Sequence, residues 1–246
     1  MYPLTSMTKE KQLSVAYGIA YQRADHVVLL CQSFIKSYSM FAGIQDQSKY
    51  EVIPNALSFD ITPSFDKLSK QKVALIVARF DEPSKRLSLA LRIWALLKQD
   101  PVAKDWTLRI VGEGNSRALY ERIIHNEHIP DVSLEGRQDP IPYYKEASIF
   151  MMTSRSESWG LTLTEAQQMG VVPIAFDTYA SLRNIITDEE NGIIIEEGDI
   201  DSYVNRIKKL MSDSDLRQQM AKQAIASSQR FSKERIAEMW WELLFK

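Results

Sequence analysis

Two segments of this 246-residue sequence place reactive residue types where they could handle a phosphorylated ligand. The first is Thr153-Ser154-Arg155-Ser156-Glu157-Ser158-Trp159-Gly160-Leu161-Thr162-Leu163-Thr164-Glu165-Ala166, which runs from an apolar stretch through small residues into a helical pattern. The first N–H groups of a helix lack internal partners and carry partial positive charge, which suits a phosphate. Gly160 removes the side chain that would keep a ligand away from the backbone. The second segment is Arg79-Phe80-Asp81-Glu82-Pro83-Ser84-Lys85-Arg86. Arg79, Lys85 and Arg86 could clamp a polyphosphate, arginine through paired hydrogen bonds and lysine as a point charge.

Each feature has a plainer reading, and residue types alone leave both open. The three cations could be solvated loop charges paired with Asp81 and Glu82. Glu165 could be an ordinary acid near a helix start, stabilising the helix dipole by ~0.3–1 kcal/mol. The separation of eight between Glu157 and Glu165 decides nothing, because four other pairs among the 17 glutamates share it. Context separates them: only Glu157 and Glu165 flank a strand–glycine–helix junction. Gly112-Glu113-Gly114 lacks the third glycine of a dinucleotide fingerprint and reads as a strand–helix turn lining a cleft. The aspartate pairs Asp199/Asp201 and Asp213/Asp215 precede helix starts, where capping outweighs metal binding. Trp240-Trp241 reads as packing rather than a sugar platform.

The elements that must position these residues follow from periodicity. From Lys72 onward, short β-branched runs alternate with helical patterns. Strands are expected at Val73–Ala78, Trp106–Val111, Val132–Leu134, Ile149–Met152, Val172–Ala175 and Gly192–Ile195. Helices are expected at Leu87–Lys98, Arg117–Glu127, Tyr143–Ala147, Leu161–Met169, Asp201–Met211, Asp215–Ser227 and Lys233–Phe245. Strands alternating with helices of this length imply right-handed crossovers and a doubly wound α/β parallel sheet. Both candidate segments then fall at carboxyl ends of strands, where open α/β sheets bind ligands. Residues 1–55 offer only one strand (Val27–Leu30) between two helices (Glu10–Ala24, Ser33–Ala42), too little to enclose a core, so they read as the last βα element of another domain.

Bulk properties exclude other classes. With 30 basic against 32 acidic residues, the net charge of −2 argues against a general nucleic-acid binder. One cysteine, Cys31, makes neither an internal disulfide nor a zinc site, and His26, His125 and His128 are too scattered for a metal centre. A reducing, cytoplasmic compartment is the default. No stretch has the roughly 18–20 apolar residues of a membrane span, so at most a peripheral membrane contact is expected.

The residues also resemble a known family. Arg23-Ala24-Asp25-His26-Val27-Val28, Val52-Ile53-Pro54-Asn55, Val77-Ala78-Arg79-Phe80 with Lys85-Arg86, Ile110-Val111-Gly112-Glu113-Gly114, Glu157-Ser158-Trp159-Gly160-Leu161 with Glu165-Ala166, Met169 to Ala175 and Glu190-Asn191-Gly192 resemble, in order, the C-terminal part of family 4 of the retaining glycosyltransferases (glycosyl transferases group 1). That family has the GT-B fold of two facing Rossmann-like domains. The resemblance implies a division into 1–57, the remnant of an N-terminal acceptor domain; 58–71, a linker; 72–230, a nucleotide-sugar-binding Rossmann-like domain; and 231–246, a helix crossing back towards the N-terminal part. It implies that Arg79 and Lys85 meet the donor diphosphate, that Glu157 lies near the donor sugar, and that Glu165 accepts from the ribose hydroxyls. The backbone of Trp159, Gly160, Leu161 and Thr162 would meet phosphate and sugar, with Gly136 and Arg137 at the base. Trp159 stands where phenylalanine is commoner, and Arg86 where glycine often follows the lysine.

The implied function is metal-independent transfer of a hexosyl unit, with retention, from a nucleotide diphosphate sugar to a saccharide or lipid-linked acceptor. A UDP-sugar is the leading donor. No cofactor is implied, and the setting would be cell-envelope polysaccharide synthesis in the cytoplasm, at the inner face of the membrane. The alternatives are a catalytically silent nucleotide-sugar-binding module working with a partner chain, or a GT-B epimerase or phosphorylase. The family's glycine-rich donor loop and acceptor contacts have no match here. The chain alone is therefore expected to bind donor but transfer very slowly or not at all, with either self-association through its N-terminal part or an unusually mobile N-terminus.

Overall fold

The computed structural model describes residues 8–60, 64 and 68–245. The chain divides into two compact units: Met1–Asn55 with Glu234–Lys246, and Ala56–Lys233. The smaller unit contains α1 (Lys9–Arg23), β1 (Val27–Leu29), α2 (Gln32–Ala42) and β2 (Tyr50–Val52). The two strands pair in parallel, with Val27 opposite Tyr50 and Leu29 opposite Val52. Strand β2 was not expected. Three residues long and only partly buried, it has too little alternation to register as a pattern.

The larger unit runs β3 (Val73–Val77), α3 (Glu82–Lys85), α4 (Leu87–Leu97), β4 (Thr107–Val111), α5 (Arg117–Asn126), β5 (Val132–Gly136), α6 (Ile141–Glu146), β6 (Ile149–Met152), α7 (Leu161–Gln168), β7 (Val172–Phe176), α8 (Leu182–Ile185), β8 (Ile193–Ile195), α9 (Ile200–Ser212) and α10 (Ser214–Ser228). A further helix, α11 (Lys233–Phe245), closes the described chain. The expected α/β doubly wound sheet is present. Its six strands are all parallel, in the order β5-β4-β3-β6-β7-β8.

Numbered within the unit, that is the Rossmann order 3-2-1-4-5-6. The chain moves outward from β3 in one direction and then restarts at β6 in the other. Right-handed crossovers therefore put the two sets of helices on opposite faces. Helix α4 packs with α5 and α9, and α7 with α10. The strands read as unbroken apolar runs because both faces are covered: β6 and β7 are buried at every position.

The core between these layers includes the fully buried Trp94, Trp106, Phe176 and Tyr203. The Trp94 indole N–H donates to the Pro130 carbonyl at 3.0 Å, so a large ring is enclosed without an orphaned donor. Asp199 and Asp213 cap α9 and α10, accepting from the Ser202 and Leu216 amides at 2.9 and 3.0 Å. Part of the stretch read as a linker, 58–71, is built into the larger unit: the Gln168 amide donates to the Phe59 carbonyl at 2.9 Å, and Lys233 pairs with Asp60. Residues 61–63 and 65–67 of that stretch lie outside the described residues.

Candidate functional site

The loops after β3 and β6 meet where the strand order reverses, the place at which doubly wound sheets leave a crevice. Backbone geometry brings them together. The Arg155 amide donates to the Ser84 carbonyl at 2.7 Å. The Thr153 hydroxyl is placed to donate to the Lys85 and Arg86 carbonyls, 3.0 Å from each. Arg86 completes the staple: its Nε donates to the Thr153 carbonyl at 2.8 Å, and Nη1 pairs with Glu197 at 3.1 Å. Of the two readings open for Arg86, the structure shows the guanidinium engaged with protein groups: the carboxyl end of β6 and Glu197 beyond β8.

Lys85 and Glu157 face each other across this junction, with Nζ 2.5 Å from Oε1. Their side chains are only 19% and 15% exposed, respectively, so the pair is largely shielded from water and screened less than a surface ion pair. They line a cavity together with Ala78, Ser154 and Thr162. A lysine ammonium has three donors, and Glu157 uses one. Arg79 is placed differently: it is 72% exposed and pairs with Asp81 at 3.2 Å, one of the pairings the plainer reading anticipated. The segment Gly112-Glu113-Gly114 holds the start of this loop at Ala78 and Phe80. The Phe80 amide donates to the Glu113 carbonyl at 2.8 Å. A Cβ on Gly112, whose φ is +143°, would collide with the Ala78 carbonyl.

The start of α7 faces the same cavity through Thr162. Gly160 is its N-cap, with φ +102° and no side-chain cap, so the first N–H groups of the helix remain available to a ligand. The glycine is required by that left-handed backbone. A Cβ there would meet the Tyr179 hydroxyl at 3.2 Å, so close approach of a ligand need not be the reason for it. The Trp159 side chain does not reach a ligand. It is 3% exposed, packs edge-on to Phe231 at 5.3 Å, and its buried indole nitrogen has no partner among the described residues. Only its backbone could serve the role the resemblance implies. Leu161, by contrast, is exposed.

Glu165 lies three residues beyond Thr162, on the same face of α7. Its Oε2 accepts from the Tyr144 hydroxyl at 2.9 Å. Among the described residues no cation stabilises it. Burial raises its pKa above the ordinary glutamate value, and hydrogen bonds from the Ser58 and Tyr144 side chains offset this in part. Burial and the adjacent Glu165 in turn push the Tyr144 phenol well up, which keeps it a donor. Tyr144 was not singled out from the sequence. The signal was its place on the brief helix α6, just before β6.

At the far edge of the sheet, Gly136 ends β5 with φ +75°. Arg137 is 84% exposed and 3.6 Å from Glu113. Among the described residues, no group of three or more histidine, cysteine or acidic side chains is placed to hold a metal ion.

The family described as glycosyl transferases group 1 matches residues 59–227, well over half of the chain. A glycosyltransferase of Haemophilus influenzae is 28% identical over 157 residues, covering 63% of this chain and 44% of that protein. The poly(glycerol-phosphate) alpha-glucosyltransferase of Bacillus subtilis is 24% identical over 219 residues, covering 88% of this chain and 32% of that protein. The chain thus spans less than half the length of either relative. The solved structure of a Staphylococcus aureus TarM variant with fondaparinux, α-GlcNAc-glycerol and UDP superposes with a TM-score of 0.83 at 21% identity, covering 96% of this chain and 47% of that one. The fold is that of the GT-B glycosyltransferases.

Proposed function

The chain belongs to the glycosyl transferases group 1 family, and from that premise we propose that it forms the donor site for retaining transfer of a hexosyl unit from a UDP-sugar to a saccharide or lipid-linked acceptor. The observation that carries this reading is the shielded Lys85–Glu157 pair at the strand-order reversal, facing the uncapped start of α7. The UDP in the TarM structure supports the choice of nucleotide. Relatives named for poly(glycerol-phosphate), poly(ribitol-phosphate) and amylovoran chemistry support an envelope acceptor.

In this mechanism the bond between the anomeric carbon and the diphosphate oxygen breaks. The acceptor oxygen bonds to the same face of that carbon, and its proton passes to the departing phosphate. Negative charge builds on the leaving diphosphate, where donors preorganised in a largely dry cleft stabilise it most. Lys85 keeps two donors for it, Arg79 reaches it by leaving Asp81, and the N–H groups around Leu161 and Thr162 meet it from the opposite wall. These positive groups take the part a divalent metal would play, so none is required. Glu157 then lies by the hexose, and Glu165 accepts from the ribose hydroxyls. The working place is the cytoplasm, at the inner membrane face.

The test is calorimetric titration of the 246-residue chain with UDP, GDP and ADP and their glucose and N-acetylglucosamine conjugates. UDP compounds should bind with one equivalent. Lys85→Ala should weaken the diphosphates more than uridine, and product from any active preparation should carry the α-anomer of an α-donor. Absence of nucleotide binding by the folded chain would overturn the reading.

A further inference from the structure

A second cavity lies at the other end of the sheet. About 550 Å³ in volume, it opens beside the amino ends of β3, β6 and β7 and is lined by Lys70, Lys72, Gln71, Ser148, Arg217 and Gln218, among others. Three of these liners are cations, and no described liner is an acid. A solvated surface groove on a chain of net charge −2 would not ordinarily be so one-sided. The volume falls within the range of small-molecule sites.

The cations are held in place yet left with unused donors. Lys70 donates to the Tyr144 and Met169 carbonyls at 2.8 and 2.7 Å, which closes the C-terminal ends of α6 and α7 and fixes the ammonium. Of its three hydrogens, one has no partner among the described residues. Arg217 is anchored through Nη1 to the Leu210 and Met211 carbonyls and lies over the Trp106 ring at 5.3 Å. Its Nε and Nη2 make no hydrogen bond among the described residues. Lys72 pairs with Asp105 at 3.0 Å, which offsets its charge in part. Around the cavity Glu146 is turned to Arg109 and Asp213 to Lys209; Asp213 also offsets part of the Arg217 charge, and neither acid pairs with Lys70. Burial lowers the Lys70 amine to about 7, and an anion beside it would hold its proton.

We propose that this cavity is a binding site for a phosphate-bearing ligand, held by Lys70, Lys72 and Arg217 at the opposite end of the sheet from the Lys85–Glu157 cleft. The fixed Lys70 ammonium, the exposed Lys72 ammonium and the unbonded edge of the Arg217 guanidinium, with Gln71 and Gln218 beside them, form a donor set matched to phosphate oxygens. The volume leaves room for a body attached to the phosphate. The proposal does not depend on the donor-site reading.

The experiment is an amide chemical-shift titration of the isotope-labelled 246-residue chain with pyrophosphate at constant ionic strength. Saturable shifts are expected at Gln71, Gly170 and Gln218. Lys72→Glu is the first variant because Lys72 is more than half exposed, so its replacement spares the fold. It should weaken binding about tenfold, the effect of losing a charged hydrogen-bond partner. Arg217→Gln should act in the same direction, and Lys70→Met serves as a third variant if it folds. No saturable shift at these amides, shifts confined to residues 79–86 and 157–165, or an affinity unchanged by Lys72→Glu would each overturn the proposal. Two further arms identify the source of the phosphate. Binding of glucose 1-phosphate without flotation on phosphatidylcholine vesicles containing phosphatidic acid identifies a soluble ligand. Flotation that Lys72→Glu abolishes identifies a lipid headgroup.

Discussion

The two compact units differ in what they leave exposed. Among the described residues, the large apolar side chains on the surface are Leu13, Val15, Tyr17, Ile19, Met40, Phe41, Trp240, Trp241, Leu244 and Phe245 in the smaller unit, and Leu161 alone in the larger. The larger unit has a six-stranded sheet covered by helices and buries almost all its apolar surface. The smaller one has two three-residue strands, and a sheet that small is not independently stable. The lone exception teaches the most. Leu161 opens α7 at the strand-order reversal, so the larger unit breaks its own burial rule only beside the Lys85–Glu157 cleft. The contrast predicts that binding chemistry belongs to the larger unit and that the smaller one needs cover.

The strongest way to break that contrast is to attack the cleft. In any preparation with measurable transfer, Lys85→Ala should lower turnover at saturating donor by ~10²–10³-fold, as loss of a preorganised charge donor does elsewhere. A rise in KM alone would assign Lys85 to uniform donor binding. Because the change leaves Glu157 unpaired and shielded, some stability is lost as well, and thermal unfolding of Lys85→Ala against Lys85→Ala/Glu157→Gln separates the two effects. Next in size, Glu165→Ala should weaken UDP about tenfold or more, since a hydrogen bond to a charged group contributes roughly 1.5–3 kcal/mol. Calorimetry with UDP alone shows this, and unchanged affinity in the folded variant removes Glu165 from the ribose site.

Much of this was legible in the sequence, for identifiable reasons. The strands of the larger unit are covered on both faces, so they stand out as apolar runs, and their alternation with helices fixes the parallel sheet. The cleft was legible because a strand–glycine–helix junction survives in local order. What escaped depends on contacts between distant segments. Arg86 looks like a third phosphate cation until Thr153 and Ser154 fold against it. That the Trp159 side chain packs against Phe231 is not visible in local sequence. Tyr144 is 21 residues from Glu165, and nothing local joins them. Trp240 and Trp241 read as packing from sequence; in the structure both are exposed, with Trp241 against Phe245 at 4.2 Å.

The pH response sharpens the same comparison. Burial raises the Glu165 pKa in the free protein. Ribose hydroxyls donating to the carboxylate favour its ionised form, so UDP binding should lower that pKa and release a proton. UDP affinity is therefore full above the raised value and falls as pH drops through it, towards the Glu165→Ala level. Folding stability has the opposite sign. The native state holds this proton more tightly than the unfolded chain, so the penalty for ionising Glu165 fades as pH falls through the raised value. Titrations in buffers of different ionisation enthalpy measure the proton released. Proton uptake would mean that the neutral acid, acting as a donor, is the binding form.

A smaller effect is expected when the units are separated. A fragment spanning Ala56–Lys233 should unfold cooperatively and bind UDP within about threefold of the full chain, because every residue assigned to the nucleotide lies inside it. The smallest effect is the sharpest discriminator. Met40→Lys and Trp241→Lys each place a charge on an exposed apolar surface of the smaller unit, far in sequence from the cleft residues. Exposed substitutions usually change stability by no more than about 0.5 kcal/mol, and UDP affinity should not move. Self-association should change, because contiguous exposed apolar patches drive it and a lysine disfavours its burial. Sedimentation velocity across a concentration series, for the chain and both variants, reads this directly. If the parent chain stays monomeric, the surface is not sticky and the contrast in burial has no consequence in solution. If either variant loses stability by several kcal/mol, its side chain is buried in solution, and the smaller unit is better covered than its exposed residues imply.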